Sequence, residues 1–229
     1  MMDTNVTLIR GKGIRLVIEG FGVLTAAQFL PWLILNPLFQ SFFPEAPPRL
    51  ISMLTSSAIS PIIASVYLFI RTKLIPKAWI DKETFYIVLA GIVVCWILDL
   101  LTSLFCGVQS LRTYDDGFIK NLSIGSVMII VLRTLWQPLI EETLFRGYFQ
   151  EILRIKWSNA VKAVLVTSLL FTLPHLTSDL VISGGVPSIL ANFVHISISS
   201  FIYGLAYIRG GLVASSCIHA FANAYRLFL

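Results

Sequence analysis

Two adjacent glutamates, an arginine, two histidines and an asparagine are the residues of this chain best suited to chemistry. They stand at Glu141, Glu142, Arg146, His175, His219 and Asn223, in surroundings that otherwise avoid polarity. Charge inside a membrane segment costs roughly 2.5 kcal/mol or more per residue even on lenient insertion scales. Neighbouring residues on a helix point about 100° apart, so Glu141 and Glu142 cannot face one point with equal ease. Glu142 precedes Arg146 by four residues, the order that favours an ion pair on one helix face. Glu142 is therefore expected to partner Arg146, which leaves Glu141 to face a cavity. Taken alone, the stretch reads equally well as an interfacial helix end with snorkelling charges.

The other residues are weak signals singly. His175 shares a helix face with Phe171, and Pro174 beside it frees a backbone carbonyl; a lone histidine there is more often a polar cap at the membrane surface. His219 and Asn223 project from one face, and interhelical hydrogen bonding explains such a pair as readily as chemistry does. Together they mean more, because ionisable residues inside spans usually face an interior cavity. A glutamate with a histidine can activate water, as a general base or through a metal. A second histidine with an asparagine can donate to a developing oxyanion. That combination hydrolyses an acyl bond, most simply a peptide bond. The H-E-x-x-H and G-x-S-x-G signatures are absent, and so is a glycine-rich phosphate loop.

The elements that position these residues are written in the composition. The chain has 229 residues, 56% hydrophobic and 13% charged, with mean hydropathy +0.83. Soluble domains carry about a quarter charged residues. The expectation is an all-α, polytopic transmembrane bundle with a buried polar cavity, one domain over 1–229. Its length suits about seven spans, within a range of six to eight. They are placed near 14–39, 50–70, 84–106, 122–153, 160–176, 188–208 and 212–229. A polar tail is expected before them, a proline turn at 43–48, a polar loop around 110–120 and a Ser/Gly/Pro loop at 177–187. The first apolar run is too long for a signal peptide and reads as an uncleaved span.

The net charge of +5 is spread between spans and forms no basic run, so no nucleic-acid partner is expected. With the N-terminus in the cytoplasm, twelve lysines and arginines fall on the inner side and four on the outer. That bias follows the positive-inside rule and puts a multi-pass protein in the cell membrane. Cys95, Cys106 and Cys217 show no paired spacing and imply neither disulfides nor a zinc knuckle. His195 is expected to be a hydrogen-bonding packing residue, and Ser197, Ser199, Ser200 and Gly204 small residues for close helix contact. Asp99 and Arg133 are a candidate buried ion pair.

The chain resembles the CPBP family of intramembrane proteases, which includes type II CAAX prenyl endopeptidases and the bacterial Abi proteins. The pattern is E-E-x-x-x-R, then F-x-x-x-H, then H-x-x-x-N/D, here Glu141 to Arg146, Phe171 to His175 and His219 to Asn223. The resemblance covers roughly 120–229 as a catalytic core, while 1–120 holds variable N-terminal spans. It implies that Glu141 and His175 activate water, that His219 and Asn223 stabilise the oxyanion, and that Glu142 and Arg146 hold Glu141. It leaves zinc open, with Glu141, His175 and His219 as the ligand set. The implied partner is a membrane-associated peptide or protein, and the lipid bilayer itself. The competing expectation is a non-catalytic membrane protein that gives bacteriocin immunity or acts as a scaffold by direct binding.

Overall fold

A computed structural model describes residues 2–30, 37, 41, 59–106, 127, 130–182 and 186–225. Among them the chain is helical apart from short connections, and no strand occurs. The helices are α1 Met2–Leu30, α2 Ser60–Thr72, α3 Lys82–Cys106, α4 Gln137–Glu142, α5 Glu151–Trp157, α6 Ala160–Ile182 and α7 Val186–Tyr225. Two π-helical segments, Leu132–Trp136 and Thr143–Gln150, flank α4 and join it to α5 in one run.

Two helical stretches are long and apolar enough to cross a membrane, Lys82–Thr102 and Ile189–Tyr225, with shorter apolar helices at Ser60–Thr72 and Ala160–Leu176. In the α3 window only 22% is buried, unlike the core helix of a soluble protein. Its exposed Leu89, Val93, Leu100 and Leu104 form an apolar surface that suits lipid. The proline turn at 43–48 and the polar loop at 110–120 lie outside the described residues.

Three sequence expectations are corrected. The N-terminal residues are not a polar tail, because α1 begins at Met2 and its first half packs on α5. Gly13 is the contact point there, with room for a Cβ only 3.0 Å from Lys156 Cβ. The expected loop at 177–187 is mostly helix, since α6 runs through Pro174 to Ile182 and α7 starts at Val186. The expected break between the last two spans is a kink within α7, at Gly211 with φ 66°. There the carbonyl of Lys77 lies 2.8 Å from where a Cβ would stand and accepts the Leu212 N–H. Positive φ and a close backbone approach both require glycine.

The main core gathers Leu16 and Leu24 of α1, Leu68 of α2, Phe145, Phe149 and Ile152 of the central run, and Phe171 of α6. A second cluster joins Cys95 of α3 to Tyr203, Ala214, Ile218 and Ala222 of α7. The central run lies between these cores, so its polar residues are enclosed from both sides.

Candidate active site

The centre of the site is the α4 segment. Pro138 follows the first π segment within a continuous helical run, where its missing N–H takes one donor from the backbone ladder. The π segments on either side shift the helical register, and such insertions recur at functional sites. Glu141 and Glu142 are both buried, at 6% and 0% exposure.

Glu142 is fully committed. Its Oε2 accepts from Arg146 Nε at 2.9 Å and its Oε1 lies 3.1 Å from His219 Nδ1. Arg146, itself 0% exposed, also donates from Nη2 to Ser200 Oγ at 2.8 Å and lies over the Phe171 ring at 5.3 Å. Ser200 is thus more than the small packing residue expected of it.

Glu141 is held differently. Its Oε1 accepts from Gln137 Nε2 at 2.7 Å, whereas its Oε2 is buried and has no hydrogen-bond partner among the described residues. The nearest basic atom is His219 Nε2, 3.8 Å away, too far for a direct hydrogen bond. Arg146 Nη1 is likewise buried and unpartnered among the described residues. Burying unmatched polar atoms is costly, and two of the five such side-chain atoms among the described residues belong to this charged cluster.

The histidines meet around Phe171. His175 stacks on that ring at 4.8 Å and 28°, and its Nδ1 lies 2.9 Å from the Phe171 carbonyl. His219 meets the same ring edge-on at 5.7 Å and stacks on Tyr203 at 4.7 Å and 15°. Because α6 continues past Pro174, His175 lies inside the helix and not at its outer end, which brings it to the level of Arg146 and His219. Asn223 donates from Nδ2 to the Arg133 carbonyl at 3.2 Å, on the first π segment. That contact takes one of its two amide protons.

The structure therefore brings Glu141, Glu142, Arg146 and His219 together directly, joins His175 to them through Phe171, and places Asn223 one turn beyond His219. Gln137 was missed by the sequence reading. Its position four residues before Glu141 was the available signal, but an uncharged side chain in an apolar run attracts no attention.

The donor types suit zinc, but the placement does not. Glu141 and His219 are close, yet among the described residues no three of His, Cys, Asp and Glu form a group that could hold a metal. Catalytic zinc keeps three protein ligands, so no step below is routed through a metal.

A second buried carboxylate–histidine pair lies between α3 and α7. Asp99 Oδ1 is 2.9 Å from His195 Nε2, and His195 Nδ1 is 3.0 Å from Thr102 Oγ1. His195 is a packing residue as expected, with Asp99 as its partner.

Comparison with curated proteins and with solved structures returns no match. Residues 123–225 match the family described as type II CAAX prenyl endopeptidase Rce1-like. The matched segment contains Gln137, both glutamates, Arg146, both site histidines and Asn223. The three motif pieces stand in order within the matched segment, so this part of the chain is similar to the Rce1-like type II CAAX prenyl endopeptidases.

Proposed function

We propose that the protein is a multi-pass intramembrane endopeptidase, its N-terminus cytoplasmic, that hydrolyses a peptide bond of a membrane-associated peptide or protein. The observation that carries this reading is the Oε2 atom of Glu141, buried, without a hydrogen-bond partner among the described residues and 3.8 Å from His219 Nε2. An enclosed carboxylate oxygen facing an imidazole is suited to hold and deprotonate a water.

In the mechanism, Glu141 takes one proton from that water while the oxygen adds to the substrate carbonyl carbon. His175, held beside the cluster by Phe171, helps orient the water. Glu142 pairs with His219 Nδ1 and fixes the ring, so that a proton on Nε2 points to the developing oxyanion. Asn223 offers its second amide proton to the same charge. Glu141 then returns its proton to the leaving nitrogen as the carbon–nitrogen bond breaks, giving a carboxylic acid and an amine. General acid–base catalysis of this kind contributes roughly 10²–10⁴-fold. Arg146 and Glu142 fix the geometry through a buried ion pair.

The test is the purified chain in liposomes with a peptide ending in a prenylated CAAX box, products read by mass spectrometry. Cleavage by wild type and loss of cleavage in Glu141→Gln supports the reading. Equal cleavage by Glu141→Gln overturns it.

A further inference from the structure

One cavity at the opposite end of α5 from the catalytic cluster has no part in the proposed hydrolysis. It is lined by Val6 and Arg10 of α1, Arg154 and Ile155 of α5, Ser158 of the turn, and Ala160 at the start of α6. Its volume is about 370 Å³, within the roughly 300–1,000 Å³ of ligand pockets. The lining contains two guanidinium groups, one hydroxyl and three apolar side chains, and no acidic residue.

The charge at this place is not cancelled locally. Arg154 pairs with Glu151 through Nε and Nη2, at 2.8 and 2.6 Å. The same Glu151 also faces Lys77 at 3.8 Å, so one carboxylate serves two cations. Arg10 is exposed, and Lys156 donates to its backbone carbonyl, which brings a further positive charge beside the opening. Ser158 adopts φ 51°, the left-handed turn that ends α5, and lines the same cavity as Arg154. Close by, Lys162 lies over the Trp157 ring at 4.7 Å. A tryptophan with basic residues around it marks the level of the lipid headgroups.

We propose that this cavity binds the phosphodiester headgroup of an anionic phospholipid from the cytoplasmic leaflet. Arg10 offers planar guanidinium donors that match phosphate oxygens in pairs, while Arg154, whose Nε and Nη2 are held by Glu151, faces the phosphate with Nη1. Ser158 supplies a third donor. Val6 and Ile155 form an apolar wall along which the lipid's glycerol and upper acyl carbons can lie. Basic pockets between helices on the cytoplasmic side are a recurring form of headgroup recognition. The site would tie α1 to the α5–α6 turn. The inference depends on the membrane setting and not on the protease reading.

The test uses the full chain in nanodiscs of phosphatidylcholine doped with phosphatidylglycerol, with retained lipid measured by native mass spectrometry. Wild type should enrich phosphatidylglycerol over phosphatidylcholine at least tenfold. Arg10→Gln should lower that enrichment about fivefold, the effect of one arginine near an anionic surface. Arg154→Gln should do the same, and circular dichroism checks its fold because it also frees Glu151. Lys162→Gln removes the same charge outside the cavity and should change enrichment less than twofold. Equal retention of the two lipids by wild type, or equal losses in Lys162→Gln and Arg10→Gln, overturns the site. Inorganic phosphate at millimolar concentration is the second arm. Displacement of the lipid by phosphate supports recognition through the phosphate group; phosphate bound while neither lipid is retained overturns the lipid as its source.

Discussion

Among the described residues two carboxylate–histidine pairs are buried, and they differ in what is left over. At Asp99 and His195 both imidazole nitrogens have partners, one on Asp99 and one on Thr102. At Glu141, Glu142 and His219 the accounting does not close. Glu142 is saturated by Arg146 and His219, while Glu141 Oε2 and Arg146 Nη1 lie buried with nothing to bond among the described residues. Both pairs join distant parts of the chain to α7. A closed pair holds two helices together. An open one carries the cost of unmatched polar atoms, which calls for an explanation.

That contrast is tested first by two matched replacements. Glu141→Gln should lower cleavage by roughly 10³-fold, within the range for a general base, with little change in stability because the shape is kept and Gln137 can still bond the amide oxygen. Asp99→Asn should do the reverse, lowering activity less than about threefold while reducing thermal stability in detergent. If Asp99→Asn abolishes cleavage in a folded protein, the closed pair has a chemical role and the contrast fails.

The supporting pair should respond as structure. Glu142→Ala leaves the buried Arg146 guanidinium without its carboxylate, which costs about 3–5 kcal/mol when one partner of a buried ion pair is removed. The double replacement Glu142→Leu with Arg146→Met removes both charges and should recover part of that loss, as read by thermal unfolding. A double variant no more stable than Glu142→Ala would show that shape, and not charge, is the problem.

Gln137 sharpens the difference between the two glutamates. Glu142 has a cation, whereas Glu141 has a neutral amide that holds one oxygen and turns the other toward His219. Hydrogen bonds to charged groups are worth about 1.5–3 kcal/mol. Gln137→Leu should therefore lower kcat by about 10–100-fold with KM unchanged. A KM effect with normal kcat would place Gln137 in substrate binding.

The i, i+4 logic of the sequence led directly to Glu142 with Arg146 and to Phe171 with His175, because both contacts form within one helix. It could not indicate Asp99 with His195, whose partners lie on different helices with no local pattern to join them. The π segments were also invisible, since their extra register comes from packing between two cores and not from propensity. The span expected to end at 176, just past Pro174, continues as helix to Ile182. The missing N–H of Pro174 is one bond, and the packed helix tolerates the loss while the His175 ring lies against the neighbouring Phe171 carbonyl. Serines read as small packing residues could equally accept hydrogen bonds, and only the position of Arg146 decides that for Ser200.

The smallest expected effect lies at the N-terminal end of α3, the helix that carries the closed pair. Asp81 precedes its first turn and accepts from the Thr84 N–H at 2.7 Å and from Thr84 Oγ1 at 2.8 Å. Those two donors, the backbone N–H first, hold the Asp81 carboxyl below the usual carboxylate range. A carboxyl with a depressed folded-state pKa adds stability above its unfolded value near 4, and loses it as pH falls through the folded value. Asp81→Ala should therefore unfold slightly below wild type at pH 6, and the gap should narrow as the solution is taken toward pH 2.5. Thermal scans of the two proteins in one detergent measure it. A gap that stays constant on acidification would mean that Asp81 acts through shape alone, leaving the Asp99–His195 pair as the principal polar clamp on α3.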